Sequence, residues 1–371
     1  MYFFAVVFIV IVIICLNGYA KRDPITKDKV SHRREFDKEL CEPGEVFVLR
    51  TEIDNASSHS MGRIYLKHTL DEEFILAEED KYKEIKADSK KQIVCKTHVK
   101  AKKTGVIETQ FSIAKRGVYQ THNISIDCLD LFGFHTSYYD KPSVEKITIA
   151  PKRVDNKFMS KMIAQGYGDF NAKRGFIDDE TTIRTYGEYT GHEPMRHINW
   201  KKSAQVDEFI VKQFEPMGTH VTTVVFDVTG YAHVHPGTQA YELLDYSISM
   251  LREMFEYFEA KRIAYCLYTN AKSSFIHEHT FSSVPSGTKT RRRMLCMLGE
   301  LSPIPDQKGR RISSKELLDF AIKNSFRAPF AYVAPADRGL INVEMKKISK
   351  IKGIEIIELY ADKYFKQQVR K

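Results

Sequence analysis

IRTYGEYTGHEPMRHINWKKSAQVDEFIVKQF, from Ile183 to Phe214, is the stretch on which the organisation of this chain turns. It holds the only tryptophan, Trp200, and interleaves Arg184, Glu188, Glu193, Arg196, Lys201 and Lys202 with Tyr186, Tyr189 and Trp200. A core segment has no use for so many charges, and a solvated loop has no use for so many rings. The mixture predicts a packed, salt-bridged platform that ends in a strand, IVKQF. It also marks a change of pattern, because the residues before it and after it follow different periods.

Upstream, from about Ser31 to Pro151, the pattern is β. In VFVLRTEIDN, Val46, Val48, Arg50 and Glu52 alternate with Phe47, Leu49, Thr51 and Ile53. Similar short runs follow at Arg63–Leu70, Gln92–Val99, Gly105–Ile113, Gly117–Ile126 and Val144–Ile149, separated by turn formers such as Asp54-Asn55 and Lys141-Pro142. Short strands without helical periodicity predict an antiparallel β-sandwich. Downstream of Pro216, strand and helix alternate. Val221–Phe226 is a continuous buried-strand run, and Tyr241, Leu244, Ile248, Leu251, Phe255 and Phe258 recur at helical spacing within Thr238–Lys261. Further elements are expected at Arg262–Tyr268, Thr290–Leu301, Ser313–Lys323 (opened by a Ser313/Glu316 capping box), Phe330–Ala334, Asn342–Ile351 and Ile354–Leu359. That order predicts a doubly wound parallel sheet with its ligand crevice beyond the carboxyl ends of the strands.

The fold class expected is therefore α+β multidomain. A transmembrane anchor (1–20) leads to the β-sandwich (31–151), a connector with the platform (152–216), and an α/β domain (217–371). The anchor rests on Tyr2–Leu16, which is apolar without a break and close to the roughly twenty residues a spanning helix needs. A cleaved signal peptide is the rival, with Gly18-Tyr19-Ala20 as its cleavage site. No Lys or Arg precedes the run, however, whereas Lys21, Arg22, Lys27, Lys29, Arg33 and Arg34 follow it. These flanks favour a single-pass protein of the cell membrane with most of the chain in the cytoplasm.

A length of 371 residues suits two globular units, and 43% hydrophobic with 28% charged residues is a folded composition. The net charge of +9 comes without a nucleic-acid-binding motif, so nucleic acid is not expected as a partner. Six cysteines without CxxC spacing argue against a zinc site or a disulfide framework and for buried, reduced thiols.

Chemistry-bearing candidates are few. Asp227 ends the first strand of the α/β half, in FDVTGYAH, and Thr229 follows at the spacing that could help hold a hard cation such as magnesium. Asp337, at the end of a later strand, would be a third oxygen donor. Tyr231 stands at the second hydroxyl position with its phenol too far out. The plainer alternative is that Asp227 caps the following loop. His233-Val-His235 and His277-Glu-His279 lack a further metal ligand in sequence, and read as loop histidines. Arg291-Arg292-Arg293 and Arg310-Arg311 read as a solvated helix end and loop. GxSxG, P-loop, GxGxxG and HExxH motifs do not occur.

Glu188, Tyr189, Arg196, Ile198, Trp200, Lys201, Ser203 and Ala204, followed by Val211-Lys212-Gln213-Phe214-Glu215, match a known pattern. They resemble the signature R-E-Y-x-x-G-D-x-x-R-x-I-x-W-K-x-S-A-R of domain-of-unknown-function family fifty-eight, membrane proteins whose genes sit beside those of MoxR-type AAA+ ATPases. Lys115-Arg116-Gly117-Val118-Tyr119 and Asp130-Leu131-Phe132-Gly133 resemble its R-R-G-x-Y and D-P-F-G. The sequence departs from the family at Gly187, His192-Glu193 and Gln205, and the adhesion-type D-x-S-x-S is Asp227-Val-Thr229-Gly-Tyr231. The resemblance implies a von Willebrand factor A-like second domain and a non-enzymatic scaffold or adaptor that partners a MoxR-type ATPase and is tethered to a membrane; the client stays open. No cofactor is expected beyond the magnesium that Asp227 and its neighbours could hold. Two further readings stand beside it: a metal-dependent ligand-binding module through Asp227, Thr229 and Asp337, and a hydrolase using His192 and Glu193. Within the signature, Arg196 is expected to pair with Glu193 or Glu188, and Trp200 to pack on the second domain.

Overall fold

The computed structural model describes residues 4, 6–13, 29–78, 83–87, 90–129, 136–154, 161, 163, 178–191, 195–206, 208–216, 221–231, 234–235, 237–303, 312–324, 331–337 and 357–368. The chain divides into two units, Met1–Lys152 with Leu298–Glu300, and Arg153–Met297 with Leu301–Lys371.

In chain order the first unit holds β1 (Val30–Phe36), β2 (Leu40–Cys41), β3 (Val46–Asn55), β4 (Met61–Asp71), β5 (Ile75–Leu76), β6 (Lys83–Ala87), β7 (Lys90–Val99), β8 (Lys103–Ser112), β9 (Gly117–Leu129), β10 (Thr136–Pro142) and β11 (Lys146–Ile149). They form a four-stranded sheet, β1-β3-β8-β5, and a seven-stranded one, β2-β11-β9-β4-β7-β6, with β10 also on β9. Alternation sets which face is buried: along β3 it is Phe47, Leu49, Thr51, Ile53 and Asn55 that turn inward. Residues of both sheets share one apolar core. At its centre Phe74 meets Phe111 and Phe47 edge-on at 5.5 and 6.0 Å.

A polar thread runs through this core. Arg34, on β1, donates from Nε to Ser143 Oγ at 3.2 Å and from Nη2 to the carbonyls of His122 and Ser143. Its Nη1 meets His68 Nδ1 at 3.4 Å. A guanidinium can only donate, so His68 Nδ1 accepts and the neutral ring carries its proton on Nε2. That Nε2 and the Thr51 hydroxyl are buried without a hydrogen-bond partner among the described residues. Burial, and then the Arg34 and His32 charges, push the His68 imidazole down to about 3.

The second unit holds β12 (Asp178–Glu188), α1 (Trp200–Val206), β13 (Ile210–Pro216), β14 (Thr222–Phe226), α2 (Gln239–Lys261), β15 (Tyr265–Thr269), β16 (Thr280–Ser283), α3 (Thr288–Glu300, apart from its last three residues), α4 (Ser314–Asn324), β17 (Ala331–Ala334), β18 (Ile357–Tyr360) and α5 (Ala361–Gln368). β12 and β13 pair only with each other among the described strands. The rest form one sheet, β16-β15-β14-β17-β18. β14, β15, β17 and β18 run parallel, and β16 is antiparallel at the edge. Thr238 caps α2 through the Tyr241 N–H, and Arg262 closes it in the left-handed conformation, φ 54°. On α2, Arg252 is fully buried and pairs with Glu256, which Arg291 also reaches at 3.0 Å. Leaving that guanidinium without its carboxylate would cost roughly 3–5 kcal/mol.

The structure corrects the expected fold class and location. No helix among the described residues is long and apolar enough to cross a membrane. The helical residues described at the N-terminus, 4 and 6–13, are exposed. A transmembrane anchor and a single-pass membrane placement are therefore not supported. The first unit is not purely antiparallel, because β2 runs parallel to β11. Nor is the second a doubly wound, von Willebrand factor A-like domain as drawn from sequence. Its sheet is mixed, with β16 antiparallel at the edge, and among the described strands the β12–β13 pair stands outside it; the helix expected at Asn342–Ile351 lies outside the described residues. Among the described residues the chain is sheet-rich with few helices.

Because the folded His68 pKa lies below the unfolded value of about 6.5, the unfolded chain binds the extra proton. Stability is then whole above about pH 6.5 and falls as the pH drops toward 3. His68→Gln, which keeps an acceptor for Arg34 but does not titrate, is expected to flatten that acid limb in urea unfolding at pH 7 and pH 4.5. Equal acid losses in variant and wild type would reject this role.

Candidate functional site

Two places gather the residues singled out from sequence. The first is the β12–β13 pair and the segment between its strands. The register sets Tyr186 opposite Lys212 and Glu188 opposite Ile210. Between the strands, a 3-10 turn at Met195–His197 leads into α1. Asn199 caps α1, its Oδ1 accepting the Lys202 N–H at 3.2 Å. Ser203, the one buried side chain of α1, donates its hydroxyl to the Asn199 carbonyl at 3.0 Å and accepts the Ile210 N–H at 2.9 Å. Ile198 is buried and bridges to Val211, and the Tyr189 N–H donates to the Phe209 carbonyl at 2.8 Å. The anchors of the motif are thus Ile198, Asn199 and Ser203.

Its aromatic residues face the other way. Trp200 is 58% exposed and stands edge-on to Phe209 at 6.0 Å, which in turn meets Tyr189 at 6.2 Å. Phe209, Met195 and Val206 are exposed too. The Lys202 ammonium lies 3.6 Å from the centre of the Tyr186 ring. Trp200, expected to pack on the second domain, is instead mostly exposed, because a two-turn helix has one inward stripe and Ser203 occupies it. Arg196 is exposed and donates from Nε to the adjacent His197 at 3.3 Å. Glu188 and Lys201 are exposed, and Glu193, with His192, lies outside the described residues.

The second place is the carboxyl end of β14. Asp227 is 4% exposed there. Its Oδ1 accepts the Thr229 N–H at 2.9 Å, the Thr229 hydroxyl at 2.6 Å and an Asn270 amide N–H at 2.8 Å. Its Oδ2 accepts the Tyr332 hydroxyl at 2.7 Å, and the Ser314 hydroxyl donates to the carboxylate as well. Asn270 also donates to Thr229 Oγ1 at 2.8 Å and accepts the Val228 N–H at 2.8 Å. Burial pushes the Asp227 carboxyl up, but hydrogen bonds from Ser314, Thr229 and Tyr332 outweigh it and hold the group below the usual carboxylate range. The structure joins Asp227 with Thr229, as the spacing predicts. Asp337 is engaged by Lys363 at 3.0 Å. Asn270, Tyr332 and Ser314 were not singled out from sequence. The available signal was Asn270 itself, an amide directly after the fully buried YCLYT run.

Other candidates lead elsewhere. His279 holds the Thr269 carbonyl from Nδ1 and packs on Phe320, while His277 closes a tight turn onto Thr280. His233 lies outside the described residues, and among the described residues no three potential metal ligands cluster. Cys41, Cys95, Cys128 and Cys266 are buried free thiols. Burial raises each, Cys41 and Cys95 to about 11 and Cys128 to about 12, which removes them as nucleophiles near neutral pH.

Ser203→Ala leaves the Ile210 N–H with no acceptor, at a local cost of about 1–3 kcal/mol. Amide exchange at Ile210 is expected to accelerate while exchange in β14 and β15 is unchanged. An unaltered Ile210 rate would show that the hydroxyl does not hold the helix to the strand.

No protein-family model matches the chain, and no curated protein does. Among solved structures, the alkylpurine DNA glycosylase AlkC of Pseudomonas fluorescens is 8% identical over 33% of this chain and 30% of its own, with a TM-score of 0.22. A cohesin module from a Clostridium perfringens family 33 glycoside hydrolase is 14% identical over 32% of this chain and 96% of its own, TM-score 0.24. The PapD-like domain 7 of human CEP192 is 14% identical over 35% and 94%, TM-score 0.21. The chain spans less than a third of the glycosylase. Likenesses at these scores carry no argument about fold or function.

Proposed function

We propose that this chain is a non-catalytic adaptor that binds another protein through the β12–β13 pair and α1, and that its partner is a MoxR-type AAA+ ATPase. The observation that carries the adaptor reading is the exposure of Trp200 on a locally braced element. Ile198, Asn199 and Ser203 fix the backbone, and the rings of Trp200 and Phe209 are left toward solvent. Tryptophan is enriched among residues that dominate binding energy, and a rigid backbone lowers the entropy lost on docking. The ATPase as partner rests on the resemblance of Glu188–Ala204 to the family signature.

The test is direct binding between the purified chain and a purified MoxR-type ATPase of the same genome, followed by calorimetry or interferometry. Wild type is expected to bind, and Trp200→Ala to weaken the complex about tenfold or more with its thermal midpoint unchanged, since the indole is mostly in water already. No binding by wild type at micromolar concentrations would remove the ATPase; full affinity in the variant would remove the docking face.

A further inference from the structure

A strand-end aspartate followed two residues on by a hydroxyl is a plausible start for a magnesium or calcium site. The donor count at Asp227 argues otherwise. A carboxylate offers about four lone-pair positions. Asp227 Oδ1 already receives the Thr229 N–H, the Thr229 hydroxyl and the Asn270 amide, and Oδ2 receives the Tyr332 hydroxyl, with Ser314 as a further donor. The Thr229 hydroxyl spends its hydrogen on Asp227 and accepts from Asn270, so it is engaged on both sides. A hard cation needs oxygen atoms at roughly 2.0–2.6 Å. To reach Asp227 it must evict donors that are themselves buried, such as the Asn270 amide, whose N–H would lose its acceptor. The third oxygen that such a site would recruit, Asp337, is held by Lys363.

We infer that Asp227, Thr229, Asn270, Tyr332 and Ser314 form a closed hydrogen-bonded lock in which protein donors fill the role a divalent cation would have, so that the strand ends are held together without metal. The members come from separate elements. Asp227 and Thr229 follow β14, Asn270 follows β15, Tyr332 lies on β17 and Ser314 opens α4. One ionised carboxylate therefore ties two strand ends, a third strand and a helix start. The lock is independent of the adaptor reading, since the two involve different residues.

The full chain is tested by thermal unfolding in EDTA and in millimolar magnesium, calcium or manganese, with manganese broadening of the Thr229 and Asn270 amide resonances as a readout that needs no variant. The expected result is one midpoint in all buffers, no selective broadening, and midpoints several degrees lower for Asn270→Ala and Tyr332→Phe in EDTA. A saturable rise of the wild-type midpoint with metal that disappears in Asp227→Asn would overturn the lock; a rise that persists in that variant arises elsewhere and leaves it standing. Should Asp227→Asn fail to fold, selective manganese broadening at Thr229 and Asn270 in wild type overturns the lock by itself, and its absence supports it. Unchanged midpoints in Asn270→Ala and Tyr332→Phe would also count against it.

Discussion

A carboxylate withdrawn from water survives only if its lone pairs find other donors, and around Asp227 the second unit supplies them from three strands and a helix. That carboxylate follows the central strand of the unit's sheet. β14 is buried along its whole length and lies between β15 and β17, so its end has no solvent to satisfy a charge. The hydrogen bonds also fix direction: Asn270 serves the Val228 N–H with its oxygen and Asp227 with its nitrogen, which allows one orientation of the amide. Neutral donors around an anion form a network that is costly to open at any single member.

Charge is buried by different means elsewhere. Arg252 on α2 has a carboxylate, Glu256, one turn away, and Arg291 shares it. Arg34 in the first unit is met instead by carbonyls, a hydroxyl and an imidazole. Burial draws the Arg34 guanidinium down to about 10, against the attraction of Glu145. The consequence falls on His68, whose ring must stay neutral beside a fixed cation. Acid sensitivity is thus built into the first unit through a histidine, whereas the second unit holds its anion with groups that do not titrate near neutral pH.

The elements with strong periodicity were legible in the sequence. Period-two alternation from Val46 places β3, and the spacing of Tyr241 through Phe258 places α2, with Thr238 as its cap. The Ser313/Glu316 box is made as its spacing predicts, with bonds of 2.8 and 3.3 Å. Pairing partners were not legible. A two-residue strand such as β2 has no pattern, so its parallel pairing with β11 could not be foreseen, and nothing in the Thr280–Ser283 run signals an antiparallel edge. The site was legible in half: Asp227 and Thr229 by spacing, but Asn270 and Tyr332 only after the parallel strands brought them alongside.

The direction of Trp200 is the point on which sequence and structure differ most usefully. The sequence predicts that Trp200 packs on the second domain, yet the buried positions around it are Ile198 and Ser203, and the Ser203 hydroxyl ties α1 to β13. An isolated exposed ring needs no explanation. Here the ring of Trp200 touches that of Phe209, and Phe209 touches Tyr189, so the exposed apolar surface is contiguous. Leaving such surface in water forgoes about 25 cal/mol for each Å² that could have been buried. A two-stranded pair is marginal in isolation, and the hydrogen bonds of Asn199 and Ser203 make up for that locally without covering the rings. The element is stiff where it is hydrogen-bonded and bare where it is aromatic, which is the division of labour expected of a surface that gains its burial from a partner.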